Sequence, residues 1–202
     1  YPLFEAMQHE ELVLQIHAEA NAPDIDIFDK EDVFIETHLN DLIADFPKLR
    51  IVIEHISKAS TATFVKNAPS HVAATITAHH LWLNRNDLLN TKVHPHHFCL
   101  PVLKRRQDQE ALLQAAISGS KKFFFGSDSA PHLINQKETA CGCAGIFSSP
   151  VALPILAMLF ETHQALDKLE GFTSLFGADF YQLPQNKSHI TLVKQPWQVP
   201  NS

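Results

Sequence analysis

Short apolar runs alternate with longer amphipathic stretches along most of this chain. The first run, 12–17 (LVLQIH), is largely aliphatic and bounded by charge, which predicts a buried strand. After a loop holding Asn21, Pro23 and Asp24, apolar residues recur at helical spacing: Ile27, Phe28, Phe34, Ile35, Leu39, Leu42, Ile43 and Phe46. Asp24 or Asp26 is placed to cap that helix, and Pro47 to close it. The unit then repeats. A strand is expected at 49–55 (LRIVIEH), a helix at 59–67, a strand at 72–78 (VAATITA), a helix at 105–118 and a strand at 122–128 (KKFFFGSD without its first lysine). Two more helices follow near 150–163 and 166–176, and 188–194 is a candidate terminal strand.

Strands alternating with helices predict a parallel sheet with helical cover, an α/β architecture. No glycine-rich turn of the dinucleotide or phosphate-loop kind follows any strand, which argues against a nucleotide-binding fold. An open doubly wound sheet and a barrel both satisfy the pattern. The polar residues at the strand ends favour the barrel. Composition adds limits: 45% hydrophobic and 19% charged residues over 202 positions describe a globular domain with a real core. The net charge of −6, with no basic stripe, gives no sign of nucleic acid. The longest apolar run, 151–160, is too short to span a membrane. Cys99, Cys141 and Cys143 are too few for a disulfide framework, so a reducing cytoplasm is expected. The opening YPLFEAMQHEE reads as the end of a helix, as if the sequence began within a fold.

Three of the four strands end in a possible metal ligand: His17, His55 and Asp128. In a (β/α) barrel the C-terminal strand ends form one active rim, and ligands one or two strand–helix units apart converge there. Imidazole and carboxylate donors suit zinc. Each residue also has a plainer reading. A histidine ending a strand is commonly a hydrogen-bonded core residue, and an aspartate there commonly caps the next helix. Cys141-Gly-Cys143 lacks a partner pair for a structural zinc site. The His79–His80 and His96–His97 pairs fit either a pocket or the surface. Ser127 and Ser129 flank Asp128 without a serine elbow.

The strings LQIHAE, IVIEHIS, ATITAHHL, FCLPVLKR, FGSDSAPH and CGCAG, in that order, closely resemble dihydroorotases of the bacterial single-function type. Those enzymes belong to the amidohydrolase superfamily of (β/α)8 TIM-type barrels. The resemblance runs from about residue 9 to about 184. It implies that residues 1–202 form a partial amidohydrolase barrel domain, the C-terminal half with strands five to eight. It further implies two zinc ions bridged by a carboxylated lysine that this chain does not contain. His17 and His55 match the two histidines that hold one zinc. Asp128 matches the aspartate that ligates the other and acts as general base and acid. His132 matches a histidine that binds the substrate carboxylate, and Leu100 and Ala144 match positions whose backbone contacts the substrate. The implied reaction is the reversible hydrolysis of L-dihydroorotate to N-carbamoyl-L-aspartate in pyrimidine biosynthesis, with a homodimer as the usual assembly.

The family's His-x-His pair, bridging lysine, and substrate-binding arginine and asparagine have no counterparts here. His94-Pro95-His96 has the spacing of the pair but lies elsewhere in the fold, and His94 stands where relatives usually have arginine. The sequence also stops at VPNS, where relatives continue. The isolated 202 residues are therefore expected to bind zinc weakly and to lack activity, with unpaired sheet edges at 12–17 and 122–128. Two alternatives stand beside this reading: a related cyclic amidase of the hydantoinase or allantoinase kind, and a non-catalytic truncated homologue.

Overall fold

The computed structural model describes residues 1–199. Four parallel strands, β1 (Val13–Ile16), β2 (Arg50–Ile53), β3 (Val72–Ile76) and β4 (Phe123–Phe125), pair in the order β1-β2-β3-β4. Each is joined to the next through helical crossovers. A doubly wound sheet reverses its order at a switch point. This one runs in a single direction, as half of a (β/α)8 barrel does.

A short helix, α1 (Pro2–His9), precedes β1. The first crossover is one helical run in three parts: α2 (Lys30–Phe34), a π-helical turn (Ile35–Leu39) and α3 (Asn40–Asp45). It starts later than its apolar spacing implies. The capping position is Asp29, not Asp24 or Asp26, because the Asp26 carboxylate accepts the Phe28 N–H at 2.7 Å and closes a turn ahead of the helix. α4 (Ala59–Asn67) lies where the pattern places it and buries Thr61, Ala62 and Val65. Between β3 and β4 run α5 (Ala78–Trp82), α6 (Arg85–Leu89) and α7 (Arg106–Ile117). After β4 come α8 (Ile134–Lys137), α9 (Ala152–Thr162), α10 (Leu166–Glu170), a second π-helical turn (Gly171–Leu175) and α11 (Phe176–Tyr181). The terminal strand expected at 188–194 does not form. Its Ile190 and Val193 are 74% and 70% exposed, so no neighbouring edge or apolar face draws the segment into a sheet.

Side-chain alternation gives the sheet two unlike faces. Leu14, Ile16, Ile51, Ile53, Val72, Ala74, Ile76 and Phe123 point to the helices and join Leu39, Val65, Leu112, Leu156 and Phe160 in the main core. On the other face Val52, Ala73 and Phe124 form a small apolar layer that Phe176, Phe180 and Tyr181 cover. Above that plug the same face turns polar. Glu54 accepts from the Thr75 hydroxyl at 2.7 Å and from the Tyr181 hydroxyl at 3.3 Å, and Gln15 donates to Tyr181 at 3.1 Å. Burial raises the Glu54 carboxyl pKa, as does the nearby Asp128. Gly126 lets β4 approach this layer, since a Cβ there would lie 2.6 Å from Cβ of Thr75. Among the described residues no helix is long and apolar enough to cross a membrane.

Phe160 is fully buried, with its ring centroid 5.5 Å from that of Phe172. Phe160→Ala is expected to destabilise the protein by about 3–5 kcal/mol. Urea denaturation checks this, and a midpoint unchanged from the parent would contradict the packing.

Candidate metal centre

The strands stop short of the residues that the sequence places at their ends. His17 follows β1 directly, His55 lies two residues beyond β2, and Asp128 three beyond β4. All three stand on the loops of one rim, because parallel strands put their C-terminal ends on the same side. His55 and Asp128 both adopt left-handed backbone conformations, with φ of +41° and +38°. Non-glycine residues rarely sit there, and the strain is held only where surroundings over-determine it. For His55 those surroundings are visible. Its N–H donates to the Thr75 hydroxyl at 2.6 Å, and the next N–H donates to the Thr75 carbonyl at 3.0 Å. The buried Glu31 of α2 then accepts from Ser57 N–H at 3.1 Å and from its hydroxyl at 2.5 Å.

His17 and His55 face each other, with Nδ1 of the first 3.2 Å from Nε2 of the second. The far side of His17 is fixed: Nε2–H donates to the Glu19 carboxylate at 3.1 Å, which leaves Nδ1 as the lone-pair nitrogen. Burial lowers the His55 pKa, Asp128 opposes the shift and His17 adds to it. Two imidazole nitrogens on one tetrahedral zinc stand about 3.3 Å apart for bonds of roughly 2.0–2.1 Å. The observed separation fits, and Glu19 stands behind His17 where an outer carboxylate commonly orients a metal-binding histidine. Lys104, almost wholly buried, lies 3.8 Å from the other Glu19 oxygen. Asp128 is exposed, and its charge is felt at His55, Glu54 and Cys99, so the three expected ligands share one neighbourhood.

The three expected substrate contacts lie on loops that the structure ties together. His132 donates through Nε2 to the Ala144 carbonyl at 3.0 Å. Gly145 takes φ of +147°, and a Cβ there would meet the Ala130 carbonyl oxygen at 2.7 Å, so only glycine admits this packing. Its N–H donates to the Phe98 carbonyl at 2.9 Å, joining the loop that carries Leu100. Lys137, 3% exposed, completes the seam by donating to the carbonyls of Phe98, Cys143 and Gly145 at 3.0, 2.7 and 2.7 Å. Leu100 itself is 42% exposed at the rim, ahead of a cis bond to Pro101.

Sequence reasoning left Glu19, Thr75, Glu31 and Lys137 out of the site. Glu19 had a signal, a carboxylate two residues from a candidate ligand. Lys137 had none, because a lysine before an acidic residue in a loop reads as solvated. The His79–His80 pair proves buried, at 4% and 2% exposure. The Cys141-Gly-Cys143 thiols are free, as is that of Cys99.

No family model matches the chain. The dihydroorotase of Nitrosococcus oceani is 55% identical over 202 residues, all of this chain and 59% of that protein. The crystal structure of dihydroorotase from Campylobacter jejuni superposes with a TM-score of 0.89 at 40% identity, covering 99% of this chain and 57% of that one. The dihydroorotase of Saccharomyces cerevisiae in complex with 5-fluoroorotic acid gives 0.83 at 42% identity, covering 91% and 54%. The chain therefore spans a little over half the length of the relatives it matches.

Two outcomes follow from the geometry. Glu19→Gln removes the charge behind His17 and is expected to weaken metal retention about 10- to 100-fold, read by equilibrium dialysis against a chelator. Undiminished retention would remove Glu19 from the site. Burial holds the His79 pKa down at about 4, with the His55 charge a further cause. Its folded value thus lies below the unfolded one, so its contribution is complete above about pH 6.5 and lost as pH falls through 4. That loss is worth about 3 kcal/mol. Unfolding free energies of the parent and of His79→Gln, compared at neutral and acid pH, should differ in slope across that window.

Proposed function

We propose, for a chain that belongs along its whole length to the dihydroorotase family, that it forms one side of a zinc-dependent cyclic amide hydrolase. The reaction is the reversible opening of L-dihydroorotate to N-carbamoyl-L-aspartate. The observation that carries this reading is the opposed pair His17 Nδ1 and His55 Nε2, 3.2 Å apart on the same rim as Asp128. The three free thiols suit a cytoplasmic setting.

His17 and His55 would hold one zinc, and Asp128 would serve a second whose remaining ligands lie outside these residues. Bound zinc would supply a nucleophile at neutral pH and polarise the carbonyl under attack. The chain's own groups do the rest. Asp128, exposed on its loop, takes a proton from the attacking water and delivers it to the ring nitrogen as the C–N bond breaks. His132 binds the substrate carboxylate, with the backbone groups of Leu100 and Ala144 beside it. The Lys137 seam keeps those three loops in one arrangement. The complex of the yeast relative with 5-fluoroorotic acid, a pyrimidine-ring carboxylate, supports this substrate class. Removing Lys137 would leave the Cys143 and Gly145 carbonyls without their donor and the Phe98 carbonyl with the Gly145 N–H alone, which makes it a positioning residue here.

The intact protein, loaded with zinc, is expected to turn over dihydroorotate far faster than hydantoin. The reverse preference would favour the cyclic-amidase alternative. Asp128→Asn should lower kcat about 10²- to 10⁴-fold. His132→Ala should act mainly through KM, because it removes a contact present in both ground and transition states. Steady-state kinetics at fixed metal content decide both.

A further inference from the structure

Beneath the rim lies a second group of donors that the first centre does not use. His79 and His80 stand in the first turn of α5, and Cys99 sits on the loop opposite them. One ligand atom from each lies within 4.8 Å of the other two. All three residues are buried, with exposures of 4%, 2% and 1%. His79 is the anomaly, since neither of its ring nitrogens has a hydrogen-bond partner among the described residues. An imidazole enclosed in this way loses its hydration and receives nothing from the protein in return.

His80 is oriented as metal-binding histidines are. Its Nε2–H donates to the Pro101 carbonyl at 3.0 Å, which fixes the ring and leaves Nδ1 as the lone-pair nitrogen. Nδ1 accepts from the Thr77 hydroxyl at 2.8 Å, a donor that can rotate away. The Cys99 thiol donates to the same Pro101 carbonyl at 3.3 Å. The cluster therefore offers two neutral nitrogens and one sulfur, a soft donor set from two separate segments of chain.

We propose that His79, His80 and Cys99 form a second metal site for a thiophilic d10 cation, zinc or cuprous copper. On binding, the Cys99 S–H bond breaks, a metal–sulfur bond forms, and the proton passes to solvent. His80 exchanges the Thr77 hydroxyl for the ion, and His79 gives one lone pair. Bonds of about 2.0–2.1 Å to nitrogen and about 2.3 Å to sulfur draw the donors together by roughly an ångström. A thiolate with two neutral imidazoles carries one negative charge. A monovalent ion leaves the buried site neutral, whereas a divalent ion leaves it positive by one. The ion would pin the start of α5 to the loop that carries Leu100.

Cobalt(II) is the first probe, used on the intact protein. Thiolate ligation gives a near-ultraviolet charge-transfer band that the nitrogen and oxygen donors of the first centre do not. In the Cys141→Ser/Cys143→Ser variant, altered only on a partly exposed loop, Cys99 is the one thiol left among these residues. The band is expected to persist there, and to disappear on adding Cys99→Ser with loss of one metal equivalent per chain. A double variant without the band overturns the site, and it decides the matter even if Cys99→Ser does not fold. A band that survives Cys99→Ser overturns it equally. Competition of zinc and of cuprous ion with chromogenic chelators, on the same variants, then shows which ion the site retains more tightly.

Discussion

The parallel hydrogen-bonded ladder is the constraint on which everything else in this structure rests. Four short strands in the order β1-β2-β3-β4 put four C-terminal ends on one rim. Residues as far apart in sequence as His17 and Asp128 are thereby brought to the same rim of the sheet. The same ladder sets the other end of the sheet. There Val52, Ala73 and Phe124 sit under α11, so the inner face grades from an apolar plug, through Gln15, Glu54 and Thr75, to the candidate ligands. A gradient of this kind lets one wall be both a core and a site.

Two of the candidate ligands sit on strained backbone. His55 and Asp128 hold left-handed backbone angles that a side chain ordinarily avoids, and around His55 the Thr75 hydroxyl and carbonyl keep the turn in place. Thr75 exemplifies the economy of the arrangement. It accepts from the His55 N–H, donates to Glu54, and packs where Gly126 leaves room. The strained turn, the polar layer and the close approach of β4 therefore depend on a single hydroxyl-bearing side chain.

Buried charge does similar positioning work around the rim. Glu31 holds the turn after His55, Glu19 and Lys104 stand behind His17, and Lys137 gathers the carbonyls of Phe98, Cys143 and Gly145. Burial raises the Glu31 pKa and lowers those of Lys104 and Lys137. Groups so costly to enclose persist because each satisfies backbone or carboxylate partners that would otherwise be stranded. The π-helical turns within the first crossover and before α11 show the same accommodation on the helical side, with Leu39 and Phe172 brought fully into the core.

Hydrophobic period alone determined the four strands, the helices at 59–67 and 106–117, and the α/β class, because each is a local pattern matched to a buried face. The common rim of His17, His55 and Asp128 was legible as well, since each follows a strand. Tertiary structure decided what no single segment encodes. Strand order chose the half barrel over the doubly wound sheet. Through-space partners brought Glu19, Thr75 and Lys137 against the candidate site residues and their loops, and sealed the His79–His80 pair in the interior. It also denied residues 188–194 a strand, because a strand needs a neighbouring edge as well as its own propensity. Period and motif are properties of neighbours in sequence, whereas ligation, burial and pairing are properties of neighbours in space.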